Sequence, residues 1–161
     1  MVWGKAGTTT LSGTSGDIDV TSLPDNKFIT FLHSGEHSSG SIRLRLNSDS
    51  GSNYGQRRNA NGGTDGTDVN QAQFNNLVNY NDILNFNVGY IVNIAGEEKL
   101  MQYHNVSGVS AGAGTAPYRV EQVQKWANTS DTISSINISS GSGVNSSDSN
   151  VSVLGSDMTP A

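Results

Sequence analysis

Apolar and polar residues alternate with a period of two along much of this chain, the mark of β-strands with one buried face. In residues 41–46, Ile42, Leu44 and Leu46 share one side while Arg43 and Arg45 share the other. Residues 86–94 repeat the pattern, with Phe86, Val88, Tyr90, Val92 and Ile94 on one side and Asn87, Gly89 and Asn93 opposite. In both segments the apolar side is the one expected to be buried.

Similar patterning predicts further strands over 27–33, 99–106, 118–126, 134–138 and 150–154, with shorter ones over 8–11, 18–20 and 54–59. Between 69 and 84 the spacing of Phe74, Leu77 and Val78, three or four apart, predicts a short helical turn. Clusters such as Asn61-Gly62-Gly63, Gly112-Ala113-Gly114 and Ser140-Gly141-Ser142-Gly143 bend the chain between strands. About eight to ten short strands separated by such turns imply an all-β, two-sheet sandwich of jelly-roll type. Residues 1–154 form a single domain in this reading, and 155–161, without apolar alternation, form a short tail. Neither a linker nor an internal repeat divides the chain.

Composition strengthens the β assignment and narrows the functions. Nineteen glycines and many Ser, Thr and Asn residues dilute a charged fraction of 14%, and such residues favour turns and strand edges over helix interiors. At 161 residues the chain suits one domain with a core of its own. The net charge of -5, with Arg57 and Arg58 the only adjacent basic pair, argues against nucleic acid, whose phosphates require a clustered positive face. No run approaches the roughly 18 apolar residues that predict a membrane span, so membrane insertion is not expected. Cysteine is absent, which removes disulfides and thiolate metal sites. Residues 1–7 lack the apolar stretch of a signal peptide. The expectation is synthesis in a cytoplasm.

Four patterns bear on chemistry. His33-Ser-Gly-Glu36-His37 has the letters of an inverted zinc-protease motif, which needs its histidines on a helix beside a third ligand. Here an alternating strand leads into Gly35 and Ser38-Ser39-Gly40, placing the histidines on a hairpin loop, and no metal site is expected. Gly108-Val-Ser110-Ala-Gly112 matches G-x-S-x-G, but the following Gly-Thr-Ala-Pro cannot start the helix that a nucleophile elbow needs. Asn47-Ser-Asp49-Ser-Gly51-Ser-Asn53 offers oxygens at alternate positions like half a calcium loop. Asp65 and Asp68 are candidates to complete it, although side-chain bonds that fix a tight turn need no metal. Five Asn-x-Ser sequons, beginning at Asn105, Asn128, Asn137, Asn145 and Asn150, matter only if the chain meets a glycosylation system. The paired carboxylates Asp17/Asp19 and Glu97/Glu98 read as strand-end charges. Of the large rings, Trp3, Tyr54, Tyr80, Tyr103 and Trp126 divide between core, protein interface and carbohydrate platform, with Trp3, Tyr80, Tyr103 and Trp126 the candidates for an interface or ligand.

The stretch Ile42-Arg-Leu-Arg-Leu-Asn47-Ser-Asp49-Ser-Gly51-Ser-Asn53-Tyr54 resembles a hallmark of a family of uncharacterised virion proteins from tailed phages and marine viruses of bacteria and archaea. It departs from that hallmark at Ser48, where the family often has glycine. The resemblance continues through Lys99, the Lys125-Trp126-Ala127-Asn128 segment, the strand at 133–138 and the terminal Val151-Ser-Val-Leu154-Gly155, and spans residues 3–157. It implies a particle protein without a reaction or cofactor of its own, in which Asn47, Asp49, Gly51, Asn53 and Tyr54 form a structural turn. The expected partners are further copies of the chain, as a trimer or similar ring, and other virion proteins on a capsid surface. Two alternatives remain open: a host-binding module of a tail or head fibre that recognises surface glycans, and a subunit of a cell-surface filament.

Overall fold

The computed structural model describes residues 2–78 and 80–158. Eleven strands form two antiparallel sheets packed as a sandwich, with no helix among the described residues. In chain order they are β1 (Gly4–Thr10), β2 (Asp17–Val20), β3 (Asn26–Gly35), β4 (Ile42–Leu46), β5 (Tyr54–Ala60), β6 (Gly66–Gln71), β7 (Asn85–Val92), β8 (Lys99–Ser107), β9 (Tyr118–Trp126), β10 (Ile136–Ser140) and β11 (Asn150–Met158). The large sheet has the order β1-β11-β3-β7-β8-β9-β5-β6 and the small one β2-β10-β4.

The small sheet behaves as its pattern predicts. Ile42, Leu44 and Leu46 of β4, Ile136 and Ile138 of β10, and Ile18 and Val20 of β2 are all buried. They pack on Ile29, Phe31, Ile91, Met101, Tyr103 and Trp126 of the large sheet in one continuous core. Its β4 edge is closed by the chain around Phe74: Leu44 and Phe74 exchange backbone bonds of 3.1 and 3.0 Å, and Leu77 N donates to Ile42 O at 3.1 Å. Phe74, Leu77 and Val78 are fully buried there as extended and irregular chain. The helical turn expected from their spacing is absent among the described residues; their burial comes from covering an edge, and an edge cover has no need of helical geometry.

Three other boundaries move. β6 is a strand that polar Gly66-Thr-Asp-Val-Asn-Gln71 did not announce, held on the edge by pairing with β5. β10 begins at Ile136 rather than at 134, because Ser134 and Ser135 are committed to bonds with Asn47. β11 runs to Met158 with Ser156 opposite Phe28 and Met158 opposite Asn26. Residues 155–158 therefore belong to the sheet, not to a tail; 159–161 lie outside the described residues.

The largest departure is in β7. Alternation is present, but the buried side is Asn85, Asn87, Gly89 and Ile91, continued by Asn93, while Phe86, Tyr90, Val92 and Ile94 are 37–52% exposed. Inward asparagines are tolerated because both ends of each amide are paired. Asn85 donates to Ile83 O at 2.7 Å and accepts from Ser107 Oγ at 2.5 Å. Asn93 donates to Asn26 O at 2.9 Å and accepts from Ile133 N at 2.9 Å, tying two loops to the strand. Asn87 donates to His33 Nδ1 at 2.7 Å and accepts from Asn105 Nδ2 at 2.8 Å. The Tyr103 hydroxyl lies 2.5 Å from Asn87 Oδ1 and 2.9 Å from Leu77 O, two acceptors for one proton. Gly89 faces Phe31 so closely that a Cβ there would sit 2.1 Å from the ring.

Candidate functional site

The sequence-predicted turn at 47–54 is a built structural unit. Asn47 and Ser48 have φ of 53° and 55°, and Asp49 N bonds back to Leu46 O at 3.0 Å, the geometry of a type I′ turn. Glycine carries no penalty in that left-handed region; here Asn47 and Ser48 occupy it. Asn47 donates to Thr132 O at 2.8 Å and accepts from Ser134 N and Ser135 N at 2.8 and 3.1 Å, tying the turn to the approach of β10. Asp49 accepts from Gly51 N, Asn53 Nδ2 and Trp126 Nε1 at 2.8, 2.9 and 2.7 Å. Burial works to raise its pKa, but the bonds from Asn53, Trp126 and Gly51 outweigh it and hold the carboxyl below the ordinary value. Both Asp49 oxygens thus accept from protein donors, which fix the turn without a metal. The buried Tyr54 ring stands edge-on to Phe74 at 4.9 Å and stacks with Trp126 at 6.3 Å. Its hydroxyl accepts from Leu46 N at 3.1 Å.

The four rings considered for an interface or ligand separate. Trp126 and Tyr103 are completely buried and belong to the core, which corrects their placement as contact residues. Tyr80 is half-buried and packs edge-on against Tyr118 at 4.7 Å. Trp3 is 44% exposed.

The histidine motif is also relocated. His33 lies inside β3 rather than on a hairpin loop, and both His33 and His37 are buried. Because His33 Nδ1 accepts from Asn87, its proton is assigned to Nε2, which has no hydrogen-bonding partner among the described residues. Burial and the nearby His37 push the His33 pKa down to about 4. Among the described residues no three His, Asp or Glu side chains are grouped to hold a metal. Ser110 sits on the exposed loop between β8 and β9.

Pattern reading did not single out Lys99 for a role of its own. Its side chain is buried, and Nζ donates to Ile94 O at 3.0 Å, Asn128 O at 3.1 Å and Glu97 O at 2.5 Å. Burial depresses its pKa despite the neighbouring carboxylates of Asp131, Glu97 and Asp25. An ammonium surrounded by carbonyls pins two loops, a structural task.

What remains for function is the outer face of the large sheet. Pairing lays its side chains in rows across β3, β7, β8, β9 and β5. One row is Phe28, Val92, Leu100 and Lys125; the next is Thr30, Tyr90, Gln102, Val123 and Arg57. A third is Leu32, Val88, His104, Glu121 and Asn59, and the last is Ser34, Phe86, Val106 and Arg119. Leu100 and Val123 are each 56% exposed. The face is therefore apolar over β7 and much of β8, and charged toward β9 and β5. Two shallow hollows share Gln102: one of about 430 Å³ beside Trp3, Phe28, Tyr90 and Leu100, the other of about 400 Å³ beside Arg57, His104 and Glu121. Arg119 pairs with Glu121 at 3.4 Å and Lys125 with Glu98 at 3.0 Å.

No protein-family model and no curated protein matches the chain. Among solved structures, an alginate lyase double mutant in complex with an alginate tetrasaccharide is similar over 96% of this chain and 81% of its own. The identity is 10% and the TM-score 0.35. At that distance the likeness carries no inference about this chain.

Proposed function

We propose that this chain is a structural subunit of a virus particle, a coat-associated or decorating β-sandwich that acts through protein contacts and carries no reaction of its own. The observation behind the reading is the outer face of the large sheet, where Phe86, Tyr90, Val92, Leu100, Val106 and Val123 are exposed together. Monomeric soluble proteins rarely leave contiguous apolar patches beyond a few hundred Å² uncovered. The resemblance of the 42–54 segment to virion proteins supplies the setting. The same segment supports it physically, since its residues serve folding and leave the contact surface elsewhere. Quantitative mass spectrometry of purified particles tests the proposal: many copies per particle are expected, and absence from particles made in cells that express the chain would refute it.

A second reading, recognition of a host-surface glycan, is favoured by one feature, the hollow where Arg57, His104 and Glu121 stand beside the apolar patch. Glycan-array binding abolished by His104→Ala, with few copies per particle, would establish it instead.

A further inference from the structure

We propose that the outer face of the eight-stranded sheet is the contact between two copies of this chain, packed face to face as an isologous pair. The inference rests on the reading of the chain as a protein-contact module and names the partner.

The starting point is the inversion in β7. A strand with four apolar residues on one side and asparagines on the other gains more by burying the apolar side. Here the asparagines are inside, each bonded at both ends of its amide, and the apolar side of the same strand faces outward. That arrangement makes sense when a second large sheet covers the outer face, giving four stacked sheets in the pair in place of two.

Size fits a second copy. A whole aromatic side chain presents roughly 150–250 Å², so the exposed portions of Trp3, Phe86 and Tyr90 alone offer on the order of 300 Å². The aliphatic residues of β7, β8 and β9 and the polar rim bring the face toward the roughly 800 Å² per partner of a stable interface. Sheets also pack on sheets readily, about 10 Å apart, through alternating side chains of this kind.

Charge selects among partners. The rim carries both signs, and Arg119–Glu121 and Lys125–Glu98 are already paired within the chain. It offers no excess field to draw an anionic membrane or a nucleic acid, whereas two copies of a mixed rim can meet without net repulsion. An oligosaccharide would want many donors and acceptors among the apolar side chains, and among the described outward residues of β7 and β8 these are Gln102, His104 and the Tyr90 hydroxyl. In a two-fold pair every residue contacts its counterpart surface reciprocally. The same patch therefore covers itself.

The absence of cysteine makes the test clean. Wild type is measured by sedimentation and light scattering across a concentration series, with Leu100→Glu and Val123→Glu as face variants and Ser139→Glu, on the outside of the small sheet, as control. The expected result is twice the chain mass for wild type and the control, and a single chain mass with an unchanged circular dichroism spectrum for both face variants. Two charge variants are used because one that fails to fold is uninformative alone. Under oxidation, one of the single variants Leu100→Cys, Gln102→Cys and His104→Cys, the one nearest the two-fold axis, is expected to cross-link to itself, and Ser139→Cys is not.

A wild-type chain that stays at single mass over the whole series overturns the pair, as does a double mass that the face variants leave intact. Should that single-mass chain still be found on particles and be lost with Leu100→Glu, another coat protein occupies the face and only the pair is wrong. A pair that forms while the chain never appears on particles upholds this inference and refutes the virion reading. Single-mass protein that binds a glycan through the same residues overturns the pair in favour of a sugar site.

Discussion

The two faces of the large sheet invert the usual relation between polarity and burial. On the inner face, Asn85, Asn87, Asn93, Asn105, Gln122 and Gln124 are buried beside Phe31, Tyr103 and Trp126, whereas the outer face holds Phe86, Tyr90, Leu100 and Val123 in solvent. The inner amides give loops and neighbouring strands fixed partners, so they specify where the chain must lie. The outer side chains are chiefly hydrocarbon and specify only that something apolar is to come against them. Polarity inside a protein is stable when it is fully bonded, and apolar surface outside is informative when it is continuous.

The largest effect that separates the faces is expected from Asn87→Leu. The substitution keeps the branched shape but leaves His33 Nδ1 and Asn105 Nδ2 without their partner and removes one of two acceptors from Tyr103. A loss of about 3 kcal/mol should appear in urea unfolding. A loss under about 0.5 kcal/mol, the scale of an ordinary surface change, would mean that the inner polar network does not hold the sheet.

Acid should act on the same face. His33 titrates at about 4 when folded against an ordinary value of 6.5, so between those values the unfolded chain binds a proton that the folded chain refuses. Stability is full above about pH 6.5 and falls as pH drops toward 4, by about 1.4 kcal/mol per unit for one such group. Asp49, whose carboxyl is also held below its ordinary value, is shifted in the same direction. Its contribution is present above the unfolded value and lost only at still lower pH. Melting temperatures between pH 7.5 and 4.5 should therefore decline in wild type and decline less in His33→Gln. Equal slopes in the two proteins would remove His33 as the cause.

A smaller loss is expected from Gly89→Ala, since the new methyl meets the Phe31 ring and overpacking costs about 1–3 kcal/mol. Pairing that change with Phe31→Leu should recover part of the loss, and a double mutant no better than the sum would place the strain elsewhere. The smallest effect belongs to the outer face. Tyr90→Ser, measured where the chain is a single copy, should shift unfolding by no more than about 0.5 kcal/mol. A shift comparable to that of Asn87→Leu would show the outer face to be part of the fold rather than a contact surface.

Legibility of the fold followed the same division. Strands β3, β4, β7, β8 and β9 were readable from alternation, and the turn at 47–54 from residue types that tolerate positive φ or bond their own backbone. β6 was not readable, because Gly66-Thr-Asp-Val-Asn-Gln71 is a strand through its pairing with β5 and has little apolar pattern. Phe74, Leu77 and Val78 were legible as core residues but not as an edge cover. Trp126 looked like a contact residue from its polar neighbours Lys125 and Asn128, yet in a strand adjacent residues point to opposite faces, and its indole bonds Asp49 across a separation of 77 residues.

By itself the sequence determined that the chain forms strands, which residues share a face of each strand, and where the tight turns fall. These are local properties, set by a period of two and by the conformational limits of single residues. Only the tertiary structure decided which face of β7 is covered. A strand flipped about its axis presents the same alternation, and the choice depends on distant partners: His33 and Asn105 for Asn87, Phe31 for Gly89, and the loops at 26 and 133 for Asn93. Those bonds close only when the sheets are assembled, and they leave the apolar side of the strand outside.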